Sequence, residues 1–157
     1  MVALLPRLRR FAYGLVNDGH LADDLVQAAC LKAMERWDQF EPGTSLSSWM
    51  FRIVQNTWLD DYRSRQRRPT DALDEQMEFM VGDDGTTLLE SRSEARRVRE
   101  LIAQLPEDQR AVLLLVTVEG LSYKQTADTL NVPVGTVMSR LARARSRLAD
   151  ALGRHGR

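Results

Sequence analysis

The stretch Leu121-Ser-Tyr-Lys-Gln-Thr-Ala-Asp-Thr-Leu-Asn-Val-Pro-Val-Gly-Thr-Val-Met-Ser-Arg-Leu-Ala-Arg-Ala-Arg145 reads as a helix, a tight break and a second, strongly basic helix. Ser122 is placed to cap the first helix, and Gln125 three residues later completes a capping box. Asn131-Val132-Pro133 ends it, because proline lacks the N–H that would continue the ladder and its ring disfavours helical geometry at the residue before. From Val134 to about Ala149, the residues Val137, Leu141, Ala144 and Leu148 recur as one apolar stripe.

At about 100° per residue, Thr136, Ser139 and Arg143 point away from that stripe, with Arg140 and Arg147 flanking it. Small polar residues near a helix start and arginines along one face suit entry into the DNA major groove. There the first turn, including Val134, meets base edges and the arginines meet phosphates. Cap, break and basic helix arrive in the order of a helix-turn-helix.

Bulk properties bound what surrounds this motif. The chain has 157 residues, 43% apolar and 28% charged, with only nine Gly and five Pro. Such a chain holds one domain or two small ones, and its composition argues against a turn-rich all-β fold. No apolar run approaches the roughly 20 residues that span a bilayer. The N-terminal positive charge follows the short apolar piece, the reverse of a secretory signal. A cytoplasmic protein is expected. Cys30 is the single cysteine, so an internal disulfide or a cysteine-based zinc site is excluded.

The formal net charge is zero, but its distribution is uneven. Residues 69–91 carry seven acidic side chains and no Lys or Arg, whereas residues 132–157 carry six Arg and one Asp. Residues 52–68 carry five Arg against two Asp. Two basic patches flank an acidic segment, and local charge sets phosphate affinity.

An all-α protein follows: two small helical domains joined by an acidic flexible linker, the second ending in the helix-turn-helix. The first domain spans residues 1–68, the linker 69–91 and the second domain 92–157. In the first, Leu8, Phe11, Ala12, Leu15 and Val16 recur at helical spacing, and Asn17-Asp18-Gly19 is a stop signal. Asp23-Asp24 is expected to open the next helix, where carboxylates favour the positive end of the dipole. A third helix from about Ser47 to Arg65 buries Trp49, Met50, Ile53 and Leu59. In the second domain Leu101, Ile102 and Leu105 mark one helix, Pro106 begins another, and Gly120 ends it. The two histidines, His20 and His155, have no metal-binding spacing. The adjacent pairs Asp23-Asp24 and Asp60-Asp61 point to different sides of their helices and make no acid/base dyad. No phosphate-binding Gly-rich loop is present. Neither catalysis, a cofactor nor a metal is expected.

With these elements placed, the chain resembles an extracytoplasmic-function (group 4) RNA polymerase sigma factor. Ala22-Asp-Asp-Leu-Val-Gln27 resembles the family's region 2.2. Phe40-Glu-Pro-Gly-Thr-Ser-Leu-Ser-Ser-Trp49, with Ile53, Asn56, Asp60 and Arg63, resembles regions 2.3 and 2.4. Leu105-Pro106, Glu119-Gly-Leu-Ser-Tyr123 and Pro133-Val-Gly-Thr-Val-Met-Ser-Arg140 resemble region 4. The resemblance implies binding to core RNA polymerase through the β′ clamp helices and the β flap. It also implies a second domain on the −35 promoter element, and a first domain on the −10 element that helps to open the duplex.

Asp23, Asp24 and Gln27 match positions that the family uses against polymerase. The −35 set is Val134, Thr136, Ser139, Arg140, Arg143 and Arg147. The −10 set is Thr44, Ser45, Asn56, Asp60, Arg63 and Arg67. Asn56 and Asp60 lie one turn apart, and such side chains read adenine and cytosine edges. Thr44 and Ser45 sit in a small, hydroxyl-rich loop suited to rim a pocket for an extruded base, and Trp58 is of a type that stacks on bases. Arg63, Arg65, Arg67 and Arg68 form a backbone-contacting cluster.

The sequence departs from the family at Ala28-Ala29-Cys30, and at Met138, where members often carry Lys or Arg. Phe40-Glu-Pro-Gly-Thr-Ser45 resembles the general-stress-response branch, in which a small anti-sigma protein holds the factor and a sigma mimic releases it. An anti-sigma partner is therefore expected, and the chain is expected to be the factor and not the receiver-fused mimic. Two other readings remain, a sigma-like decoy that sequesters an anti-sigma protein and a plain helix-turn-helix regulator.

Overall fold

The computed structural model of the chain describes residues 2–66 and 89–155. Most of the expected linker, together with Arg67 and Arg68, lies outside them. Among the described residues every regular element is helical. The helices are α1 (Leu5–Val16), α2 (Gly19–Glu35), α3 (Leu46–Gln66), α4 (Leu89–Ala103), α5 (Glu107–Leu113), α6 (Tyr123–Leu130) and α7 (Val134–His155). Helix α4 takes in residues 89–91, which sequence reading assigned to the linker.

Helices α1 to α3 form the first lobe. Leu8, Phe11, Ala12 and Leu15 are buried along one side of α1. Asn17, in the left-handed conformation at φ 53°, closes that helix, as its short polar side chain allows. Asp18 caps α2 by accepting from the Leu21 N–H at 3.0 Å. Asp23 and Asp24 therefore sit in the second turn and do not open α2, a correction to the expected start: an Asx cap one residue before the helix does the work the carboxylate pair was assigned. On α3 the buried apolar residues are Met50, Phe51, Ile53, Val54 and Trp58. Phe51 meets Phe11 edge-to-face, with centroids 5.3 Å apart. Trp49 and Leu59 are only partly buried. Trp49 joins Trp37 and Phe40 in an aromatic cluster at the lobe's edge.

Helices α4 to α7 form the second lobe. Pro106 stands at the N-cap of α5, one residue earlier than expected, with Glu107 and Asp108 in its first turn. α5 runs into a π-helical turn, Leu114–Val118, which periodicity did not foretell. Such turns widen the ladder and re-aim side chains. Gly120, at φ 76°, then reverses the chain, a backbone conformation open to glycine. The expected capping box is formed: the Gln125 N–H donates to Ser122 Oγ at 3.0 Å, and the Ser122 N–H donates to Gln125 Oε1 at 2.8 Å. Asn131, at φ 58°, ends α6. Val137, Leu141 and Ala144 of α7 pack on Val112, Leu113 and Ala127, with Leu148 partly covered.

The two lobes are packed together. Ala111, Leu114, Leu115 and Leu121 of the second lobe are buried in the same apolar cluster as the core of the first. One hydrophobic cluster thus crosses the boundary between lobes, and a separate one stays within the second.

Candidate promoter and polymerase interface

On α7 the periodicity of an α-helix places Thr136, Ser139, Arg140, Arg143 and Arg147 within an arc of about 100°. Ser139, Arg143 and Arg147 are exposed, while Thr136 and Arg140 are half-buried. Val134 is exposed but projects to the other side of the buried stripe, on the side of Met138, so it does not belong to that arc. Ser139 Oγ donates to the Thr136 carbonyl at 3.1 Å. Arg140 is held 3.5 Å from the Asp108 carboxylate. The helix presents three exposed positions, Ser139, Arg143 and Arg147, and one arginine already paired with a carboxylate of the chain.

The −10 set divides. Asn56, Asp60 and Arg63 are exposed on one face of α3, within about 60° of one another. Thr44 and Ser45 lie in the turn before α3, where their hydroxyls are committed locally. Thr44 Oγ1 donates to the Glu41 carbonyl at 2.6 Å. Ser45 Oγ accepts from the Ser48 N–H at 3.2 Å, which caps the helix. Gly43 takes φ 93° in this turn. Beside it lies a groove of about 470 Å³, lined from the first lobe by Gln39, Thr44, Ser45 and Arg52, and from the second by Gln125 and Asp128. A second cleft, of about 170 Å³, brings Asn56 and Arg63 to Glu107, Asp108 and Arg140.

Trp58 does not stand ready to stack on a base. It is 5% exposed, with the Arg110 guanidinium 5.0 Å above its ring. Arg110 is buried as well, and this desolvation lowers its pKa from the usual arginine value. It donates to the Leu15, Ala103 and Leu105 carbonyls at 2.6–2.7 Å. Those bonds compensate a charge that burial alone would disfavour.

Asp23, Asp24 and Gln27 are exposed on α2. Asp23 is paired with Arg9 at 2.9 Å, whereas Asp24 and Gln27 continue along the helix into Leu31 and Met34. These last two are 56% and 67% exposed and were missed as surface residues. Their signal is angular: they lie opposite the buried Ala22, Leu25, Ala29 and Ala33 stripe. Cys30 is half-buried between the two faces, and burial pushes its thiol pKa up. Among the described residues no group of His, Cys, Asp and Glu is arranged to hold a metal ion. No described helix is long and apolar enough to cross a membrane.

Comparison with known proteins gives this arrangement its class. Sigma-70 region 2 matches residues 1–68 and Sigma-70 region 4 matches residues 95–148. The chain is 38% identical over 152 residues to the ECF RNA polymerase sigma factor EcfG of Rhodopseudomonas palustris, covering 97% of this chain and 82% of that protein. It is also 38% identical over 146 residues to the RNA polymerase sigma-H factor of Pseudomonas aeruginosa, covering 87% and 76%. Among solved structures it resembles the sigma factor RpoE in complex with the anti-sigma factor NepR from Bartonella quintana. That likeness has a TM-score of 0.75 at 31% identity and covers 97% of this chain and 93% of that one. The chain belongs to the ECF RNA polymerase sigma factors, which are transcription initiation factors and not enzymes.

Proposed function

We propose that the protein is an alternative sigma factor that binds core RNA polymerase, directs it to promoters through −35 and −10 contacts and assists duplex opening. One observation carries this reading: region 2 and region 4 matches follow one another in a single chain, and the second contains a formed helix-turn-helix. Residues 1–68 supply the polymerase and −10 functions, and residues 92–157 the −35 function. Thr136, Ser139, Arg143 and Arg147 meet the −35 duplex, with Arg140 joining once its internal pair is released; Val134 contributes from the helix start. Asn56, Asp60, Arg63 and Arg67 track the −10 strand, and Thr44 and Ser45 rim the base pocket. Asp24 and Gln27, with Asp23 beside them, bind the β′ clamp helices, and Leu31 and Met34 extend that face. The β flap is met by the second lobe.

The likeness to a sigma factor captured with an anti-sigma protein supports a small anti-sigma partner of the general-stress-response kind. The protein acts in the cytoplasm, where its polymerase is. Run-off transcription with core polymerase over a library of promoter fragments tests the whole reading. Specific initiation is the expected result. A folded protein that initiates nowhere yet captures an anti-sigma protein would make it a decoy instead.

A further inference from the structure

The first two turns of α7 present an apolar pair at the tip of a basic helix. Between Val134 and Arg140 the large exposed side chains are Val134 and Met138, 40% and 52% exposed. They are four residues apart and so stand within about 40° of each other. The polar side chains beside them are drawn inward. Ser139 Oγ donates to the Thr136 carbonyl, Arg140 is paired with Asp108, and Thr136 is half-buried. Val137 and Leu141 pack these same turns onto Val112, Leu113 and Ala127 of α5 and α6, so the backbone that carries Met138 is held in place.

Exposed apolar side chains scattered singly need no partner, but these two adjoin the proposed DNA face. Arg143, Arg145 and Arg147 follow along the helix, all exposed, and a macromolecule that covers α7 meets them as well. Such an occupant is polyanionic. Duplex DNA is a polyanion whose major groove also offers an apolar group, the C5 methyl of thymine. The N-terminal turns of a recognition helix are the ones that reach base edges. Met138 is the longer of the pair, and its unbranched thioether adapts to an irregular surface. It is absent from the expected −35 set because a search for charged and hydrogen-bonding side chains passes over it.

We propose that Met138 is a specificity-determining residue of the −35 contact. Its side chain packs on the C5 methyl of a thymine in the major groove, and Val134 flanks that contact from the helix start. The proposal rests on the sigma-factor reading above and gives one part of the readout an apolar chemistry. The arginines hold phosphate without distinguishing sequences, whereas the methyl contact favours thymine over a base that lacks the group. Lys or Arg, which members of the family often carry at this position, bonds guanine or phosphate; methionine bonds neither.

The test uses holoenzyme assembled from core polymerase and the full-length protein. The −35 segment is selected from randomised duplexes. Each of its thymines is then replaced in turn by uracil, which removes the methyl and keeps the base pair. Fluorescence anisotropy reads binding for wild type and Met138→Ala, and circular dichroism confirms that the variant keeps its helices. One uracil replacement should weaken wild-type binding about fourfold, the worth of one buried methyl. The same replacement should leave Met138→Ala unaffected, with a salt slope equal to that of wild type. A selected element without thymine, a wild type indifferent to uracil, or a penalty that persists in Met138→Ala overturns the assignment. Weaker binding of Met138→Ala to core polymerase in the absence of DNA would place the side chain against polymerase and overturn it too. A wild type that does not bind core polymerase at all sinks the sigma-factor reading itself, and the methyl contact with it.

Discussion

Asp24 and Arg143 have the same chemistry as many surface charges in this chain, and their neighbours distinguish them. Asp24 is exposed beside Gln27, Leu31 and Met34, a mixed polar and apolar strip of the kind that docks a partner helix. Asp24→Ala should lower affinity for core polymerase roughly fivefold, about 1 kcal/mol, with the unfolding midpoint unchanged. Equal affinity in a binding titration would remove Asp24 from that face. Arg143 stands exposed away from the buried stripe of α7, a position proposed above for phosphate contact, which positions a protein on DNA without reading sequence. Arg143→Ala should weaken binding to all promoter duplexes alike and reduce the salt slope of log K by about one. A slope equal to wild type would place Arg143 away from DNA. The type and helical phase of these residues are readable from sequence. The partners of Asp23, Arg140 and Trp58 are not, since Arg9, Asp108 and Arg110 reach them from other helices.

At the scale of elements, short-range rules were sufficient for most of the molecule. The break between α6 and α7 was legible because every signal in it acts within four residues: Ser122 with Gln125, and the left-handed Asn131 before Pro133. Ser122→Ala removes the side-chain acceptor of that box and should destabilise the protein by about 1 kcal/mol, measured by urea denaturation with an unchanged m-value. No loss of stability would mean that tertiary packing alone holds the start of α6. The same rules misplaced the start of α2, because Asp18 and the pair Asp23-Asp24 are both credible N-terminal signals. The contact Asp18 makes with the Leu21 N–H decides between them. The π-helical turn at Leu114–Val118 had no local signature. Its run of apolar residues fits an ordinary helix, and from or beside the widened turn Leu114, Leu115 and Glu119 reach the other lobe.

For the whole molecule, the shared apolar cluster has a thermodynamic consequence. The chain's three tryptophans, Trp37, Trp49 and Trp58, all lie in the first lobe, so fluorescence reports that lobe while far-UV circular dichroism reports both. Packed lobes that share Leu114, Leu115 and Leu121 should unfold with coincident fluorescence and dichroism midpoints. Leu115→Ala, at a fully buried position of the second lobe, should cost about 2–5 kcal/mol and move both signals. A shift in dichroism with unmoved fluorescence would show the lobes to be energetically separate.

The sequence by itself determined most of the helices, the capping box of α6, the helix-turn-helix and the family, since periodicity and that cap are encoded in residues a few positions apart. Only the tertiary structure decided that the lobes close on each other and that Asn56 and Arg63 of α3 share a cleft with Arg140 of α7. Arg10 and Glu119 are 109 positions apart, and Arg110 and the Leu15 carbonyl 95. No period or motif within either lobe records such a pairing, because it depends on how two finished surfaces fit.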